Sequence, residues 1–208
     1  MKSIKCIVFI MALCMLGGCN MVKDKLPMPS DIPTIMPSML PSIIPSDMPI
    51  EMATESPVAL GTFTTEILDT TPSRVHNLQL CATALDGAVI EGGAEFSFNG
   101  IVGERTREKG YEEALMLVDG ERKPAIGGGV CQISSTLYNA AAAAGMEILE
   151  RHSHTGEVHY VEIGQDAAVS FGEQDFRFRN PLAEPVKIAL TIENTKVGAA
   201  LYKAVTNA

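Results

Sequence analysis

Tryptophan is absent from this 208-residue chain, and its other aromatics are 4 Tyr and 7 Phe. A broad platform for stacking sugars is therefore not expected. Basic residues are scarce too: 16 Lys and Arg stand against 25 Asp and Glu, a formal net charge of −9. That balance argues against a nucleic-acid partner and against electrostatic attraction to anionic lipid. Cysteine is sparse, and beyond the N-terminal segment only Cys81 and Cys131 remain. The body is therefore not a disulfide scaffold. No run is apolar enough over the roughly 20 residues that a membrane-spanning helix needs.

The N-terminus carries a targeting pattern instead. Lys2 and Lys5 precede the apolar run Ile7 to Leu16, which is short enough for the core of a signal peptide. Leu16-Gly17-Gly18-Cys19 then resembles a bacterial lipobox. The expectation is a lipoprotein signal peptide over 1–18, with Cys19 lipidated and holding the protein on the extracytoplasmic face of the membrane. Proline recurs at 27, 29, 33, 37, 41, 45, 49 and 57, mostly every fourth residue. This density blocks helix and ladder bonding, so 19–57 reads as an extended tether.

One domain is expected over 58–208, long enough to bury a core. After Pro72, Val75, Leu78, Cys81, Ala82 and Leu85 recur at helical spacing, with Gly87 as the stop. Cys81 on that stripe reads as core packing, and a Cys81–Cys131 disulfide is the competing reading. Val89-Ile90, Phe96 to Phe98 and Ala114 to Val118 read as strands, the last turned by Asp119-Gly120. Gln132 to Ala144 reads as a helix with Ile133, Leu137, Ala141 and Ala144 inward and Gly145 at its end. Beyond it the period becomes two, predicting strands over Met146 to Leu149, Val158 to Ile163, Ala167 to Phe171, Phe176 to Phe178 and Val186 to Ile192. The predicted class is α+β: an N-terminal helix and a central Cys-bearing helix packed on a mostly antiparallel sheet.

The segment Gly127-Gly128-Gly129-Val130-Cys131-Gln132 concentrates the chemistry. Consecutive glycines give the backbone access to φ > 0 and can present a row of N–H groups beside a helix N-terminus. A thiol there is stabilised as thiolate. Cys131 is the candidate nucleophile, His154 the general base, and Asp166 the orienting group, with Asp175 and Asn180 as runners-up. The N–H groups of Gly129 and Cys131 would serve an oxyanion, with Gln132 as an added donor. Arg105 is the candidate for binding a peptide carboxylate, its bland alternative being an internal ion pair, as for Arg107 and Arg151. Ser134 and Ser135 lie in the first turns of the helix, where hydroxyls usually bond local backbone. His152 and His159 read as surface residues, so neither a metal nor a cofactor is expected.

The same residues carry a resemblance. Leu60-Gly61-Thr62-Phe63-Thr64-Thr65, Arg74-x-x-Asn77, Phe96-Ser97-Phe98-Asn99 and Val102-Gly103-x-Arg105-Thr106 resemble the VanW family. So do Gly110-Tyr111, the Gly127–Ala140 block, Glu150-Arg151, His154, Val158, Gly164-x-Asp166-Ala167, Gly172, Asp175, Phe178 and Asn180. The family is named for an accessory protein of glycopeptide-resistance gene clusters. Gly92, Ala94, Thr155, Glu162 and Gln165 depart from its usual pattern, and none of them touches Cys131 or His154. Two function classes follow for a wall-facing protein. One is a cysteine-dependent hydrolase or acyl transferase acting on cell-wall peptides; the other is a noncatalytic domain that binds wall polymer or a partner protein.

Overall fold

A computed structural model describes residues 58–118 and 121–204. The leader, the lipidation position Cys19, the proline-rich tether and the Asp119-Gly120 turn lie outside the described residues.

The strongest period-two segments pair with each other. In β8 (Val186–Glu193), Val186, Ile188 and Leu190 are buried, and in β9 (Lys196–Lys203), Val197, Ala199 and Leu201 are. Their alternation turns one face of an antiparallel hairpin into core. β1 (Ala59–Glu66) adds to the outer edge of β9 and β2 (Val89–Ile90) to that of β8, giving the order β1-β9-β8-β2.

Two helices cover this sheet. α1 (Pro72–Leu85) starts with proline at a position that needs no N–H donor, and it buries Leu78, Cys81, Ala82 and Leu85. α3 (Val130–Ala143) buries Val130, Ile133, Leu137, Ala140 and Ala141. The small residues at its C-terminal end let β1 cross closely. A Cβ on Gly61 would collide with the backbone of Ala140, Ala143 and Ala144, so only glycine fits there.

The remaining strands are short. β3 (Glu95–Ser97), β7 (Arg177–Arg179) and β6 (Glu147–Glu150) form a second antiparallel sheet in the order β3-β7-β6. Phe96 stacks on Phe178 at 4.6 Å between ring centroids, sealing that sheet into the core. β4 (Glu113–Val118) and β5 (Glu121–Ile126) pair separately as a hairpin. The predicted α+β class with both helices packed on antiparallel strands is what the protein adopts, the strands being divided among three sheets.

Three local expectations are corrected. Phe98 does not end a strand but opens the short helix α2 (Phe98–Val102), because Ser97 Oγ accepts the Gly100 N–H at 2.8 Å and caps it. Val158 to Ile163 is loop, since no strand edge meets its alternating residues. Ala167 to Phe171 contributes only two isolated bridges, His152 with Ala168 and Ser170 with Gln174. The chain from 151 to 170 therefore wraps past the N-terminus of α3 as loop, and it carries His154 and Asp166 with it.

Candidate functional site

The glycine run places the head of α3. Gly127 and Gly129 have φ of +81° and +112°, in the left-handed region that side chains disfavour. Between them, Gly128 lies so close to the backbone of Ala114 in β4 that a Cβ would collide with it. The Gly127 N–H is taken by Glu112 O and the Gln132 N–H by Gly129 O. Among the described residues no acceptor takes the Cys131 N–H. That donor stands beside the thiol at the positive end of the helix.

Cys131 and His154 line one cleft here, and Asp166 holds His154 from behind. His154 Nδ1 lies 2.7 Å from Asp166 Oδ2, and the His154 backbone N–H donates to the same oxygen at 2.6 Å. With an ionised carboxylate as partner, Nδ1 carries the proton and Nε2 is left unprotonated in the cleft that His154 shares with Cys131. The His154 side chain is only 7% exposed and that of Asp166 10%. Arg151 holds the carboxylate from the other side, Nη2 to Oδ1 at 2.9 Å and Nε to the Asp166 carbonyl at 2.6 Å. Its guanidinium lies 5.3 Å over the Tyr138 ring on α3. Ser134 and Ser135 bond to Cys131 O, and the Ala167 N–H donates to Ser135 Oγ at 2.9 Å, which fixes the Asp166 strand of chain against α3.

These contacts set the protonation chemistry. Burial penalises the Cys131 thiolate, yet the nearby His154, with the Arg105 charge adding to it, holds the thiol below its ordinary range. The thiol donates to the Val169 carbonyl, 3.6 Å from Sγ. Burial likewise works against the imidazolium, but Cys131 and Asp166 raise His154 above its usual value. Asp166 is held low despite desolvation by its bonds to His154. The two groups thus shift in opposite directions, each towards its charged form, with the carboxylate of Asp166 holding the imidazole.

The pair opens into a cleft of about 750 Å³ that includes open solvent. Its walls are the start of α1, the β4 edge at Leu115 to Leu117, and the loop at Glu157 to Tyr160.

Other predicted residues lie elsewhere or are already engaged. Gln132 lines the cleft, but its Nε2 donates to Thr65 Oγ1 and Glu66 O at 3.1 and 2.8 Å, so it is committed to β1. Arg105 Nη1 bonds Asn99 Oδ1 and Gly103 O and does not line the cleft. Asp175 accepts from Ser97 Oγ and from the N–H groups of Asn99 and Phe176, tying β3 and α2 to the start of β7. Asn180 spans Ile90, Leu182 and Glu184. Cys81 and Cys131 are both free. His152 pairs with Glu150, and His159 lies 3.8 Å from Glu157. Among the described residues no group of three or more His, Cys, Asp or Glu is placed to hold a metal.

Two cleft residues escaped the sequence reading. Arg74 stands in the first turn of α1; its place in the Arg74-x-x-Asn77 pattern was the only signal. Tyr160 also lines the cleft, with its phenol pushed up by burial and by the neighbouring Cys131.

Fold and site together define an α+β domain that gathers a thiol, an imidazole and a carboxylate at the head of one helix. The chain belongs to the VanW-like protein family, whose profile matches residues 73–202. It is 48% identical over 129 residues to the Bacillus subtilis protein named "Uncharacterized protein YoaR", covering 62% of this chain and 43% of that one. It is 31% identical over 130 residues to the Enterococcus faecalis "Vancomycin B-type resistance protein VanW", covering 60% of this chain and 47% of the relative. The matched region thus spans less than half the length of either relative. No solved structure matches.

Proposed function

We propose that this is an extracytoplasmic VanW-like domain, tethered through lipidated Cys19, in which Cys131 serves a cysteine-dependent hydrolase or acyl transferase acting on cell-wall peptides. The observation that carries the reading is an open cleft lined by both Cys131 and His154, with the imidazole held by Asp166 at 2.7 Å. In the proposed step the Cys131 thiolate attacks an amide carbonyl carbon, and the Cys131 N–H meets the developing oxyanion. The His154 imidazolium gives its proton to the departing amine, leaving a thioester on Cys131. Water or an acceptor amine then attacks the thioester, His154 takes the proton, and the thiolate is restored. The anchor and the wall-facing location rest on the leader pattern and suit the resistance role in the enterococcal relative's name.

A noncatalytic binding role is the second reading. It is favoured by the thiol's contact with the Val169 carbonyl and by the exposed apolar rim at Leu68 and Leu115. Neither relative's name states a reaction. Incubation of the protein with peptidoglycan fragments, followed by intact-mass spectrometry, separates the two. An acyl adduct on Cys131, absent from Cys131→Ala, supports the enzyme. Retained binding by Cys131→Ala, with neither adduct nor product in the wild type, supports the binding domain.

A further inference from the structure

Arg74 is the cleft residue whose state the Cys131–His154 pair does not explain. Its Nη1 donates to Leu115 O and its Nη2 to Gln132 Oε1, each at 3.2 Å. Both acceptors are neutral. Its Nε is buried without a hydrogen-bond partner. Among the described residues every ion pair belongs to another cation. Of the two acids on the cleft wall, Asp69 accepts the Thr71 N–H at 3.0 Å and feels the Arg74 charge only from outside ion-pair distance, and Glu157 lies beside His159. A guanidinium never loses its charge, and holding it half-buried on two carbonyls with no carboxylate in ion-pair contact is costly. An incoming carboxylate would supply that counter-charge in bidentate form. Arg74 and Cys131 line the same cleft, so an anion bound by Arg74 shares that cleft with the thiol.

The wall beside Arg74 is an open strand edge. Pro124 stands opposite Leu115 in the β4–β5 register and has no N–H to donate. Antiparallel alternation then turns the main-chain groups of Leu115 and Leu117 away from β5. The Arg74 bond to Leu115 O shows that direction directly. Both leucines line the cleft. Such an edge accepts an extended chain by strand addition.

We propose that the cleft recognises an extended peptide with a carboxylate within one or two residues of the carbonyl presented to Cys131. The carboxylate pairs with Arg74 and the main chain lies along the outer edge of β4. This deepens the reading of Cys131 as a nucleophile and rests on it.

Alkylation of Cys131 in the full-length protein by iodoacetate and iodoacetamide at pH 6, read by peptide mass spectrometry, tests both layers separately. The two reagents differ only in a carboxylate. The iodoacetate to iodoacetamide rate ratio is expected to exceed that of the urea-unfolded chain by about tenfold, the size of one charge-assisted contact. Arg74→Gln is expected to remove the excess and Arg74→Lys to keep part of it. If Arg74→Gln fails to fold, protection of the wild type decides: trialanine acid should slow alkylation by iodoacetamide, while its C-terminal amide should not. A ratio equal to that of the unfolded chain, or equal protection by acid and amide, overturns the carboxylate site and leaves the nucleophile standing. No reaction with iodoacetamide overturns the nucleophile, and with it this proposal.

Discussion

Two free cysteines share this domain, one on each helix, and they meet opposite fates. Cys81 is wholly buried on the apolar stripe of α1, and burial pushes its thiol up to about 12. Cys131 also pays for desolvation, yet its thiol is held below the ordinary range. The Arg105 charge favours the thiolate at both positions, so it does not separate them. The difference is His154, which shares the cleft with Cys131 and lowers its thiol, with Asp166 behind it, whereas Cys81 meets Tyr111, itself pushed up by burial and by Cys81. Burial alone makes a cysteine inert; a buried cationic partner reverses the sign.

Replacing that partner should break the comparison most strongly. His154→Ala is expected to slow alkylation of Cys131 at pH 6 by about 10²-fold, since a thiol of ordinary pKa is almost wholly protonated there. Cys81→Ala should leave the alkylation pattern unchanged. Rates from timed quenching and peptide mapping check both.

Asp166 is expected to act on stability as well as reactivity. Asp166→Ala leaves Arg151 and His154 without their shared carboxylate and should cost about 3 kcal/mol in urea unfolding at pH 7. The sign follows from its depressed pKa: the Asp166 contribution is fully present above the unfolded carboxylate value near 4 and is lost as pH falls through the lower folded value. The gap between wild type and variant should therefore close in acid, below about pH 4. A gap that widens in acid contradicts the role given to the carboxylate.

Cys81→Ser sharpens the contrast from the other side. A hydroxyl placed in the core without a designed partner should cost about 1–3 kcal/mol, with no loss of Cys131 labelling. The smallest effect belongs to Arg107→Ala, whose ion pair with Glu113 is exposed on both sides. Unfolding should move by no more than about 0.5 kcal/mol.

The helices were legible because their apolar residues repeat at helical spacing, and β8 because Val186, Ile188 and Leu190 alternate. β1 and β9 have weaker signatures: Gly61, Gly198 and small alanines become strand through pairing with neighbours rather than through their own propensity. Val158 to Ile163 shows the reverse, alternation without a partner edge, and it stays loop. At the site, residue type and chain order pointed to His154 and Asp166, which the fold pairs, and to Cys131, which lines the same cleft. Their support was hidden, because Arg151 reaches Asp166 across a loop of unpredictable path. Arg74 was hidden too, since nothing local marks a helix-start arginine as bridging two other elements.

The most direct test of the account is the pH profile of iodoacetamide alkylation, measured for both cysteines in one folded sample. The account predicts that Cys131 reacts readily by pH 6 while Cys81 stays unlabelled until the protein unfolds. A Cys131 rate that climbs only around pH 8.5, as for a free thiol, or one that matches Cys81 throughout, would contradict it.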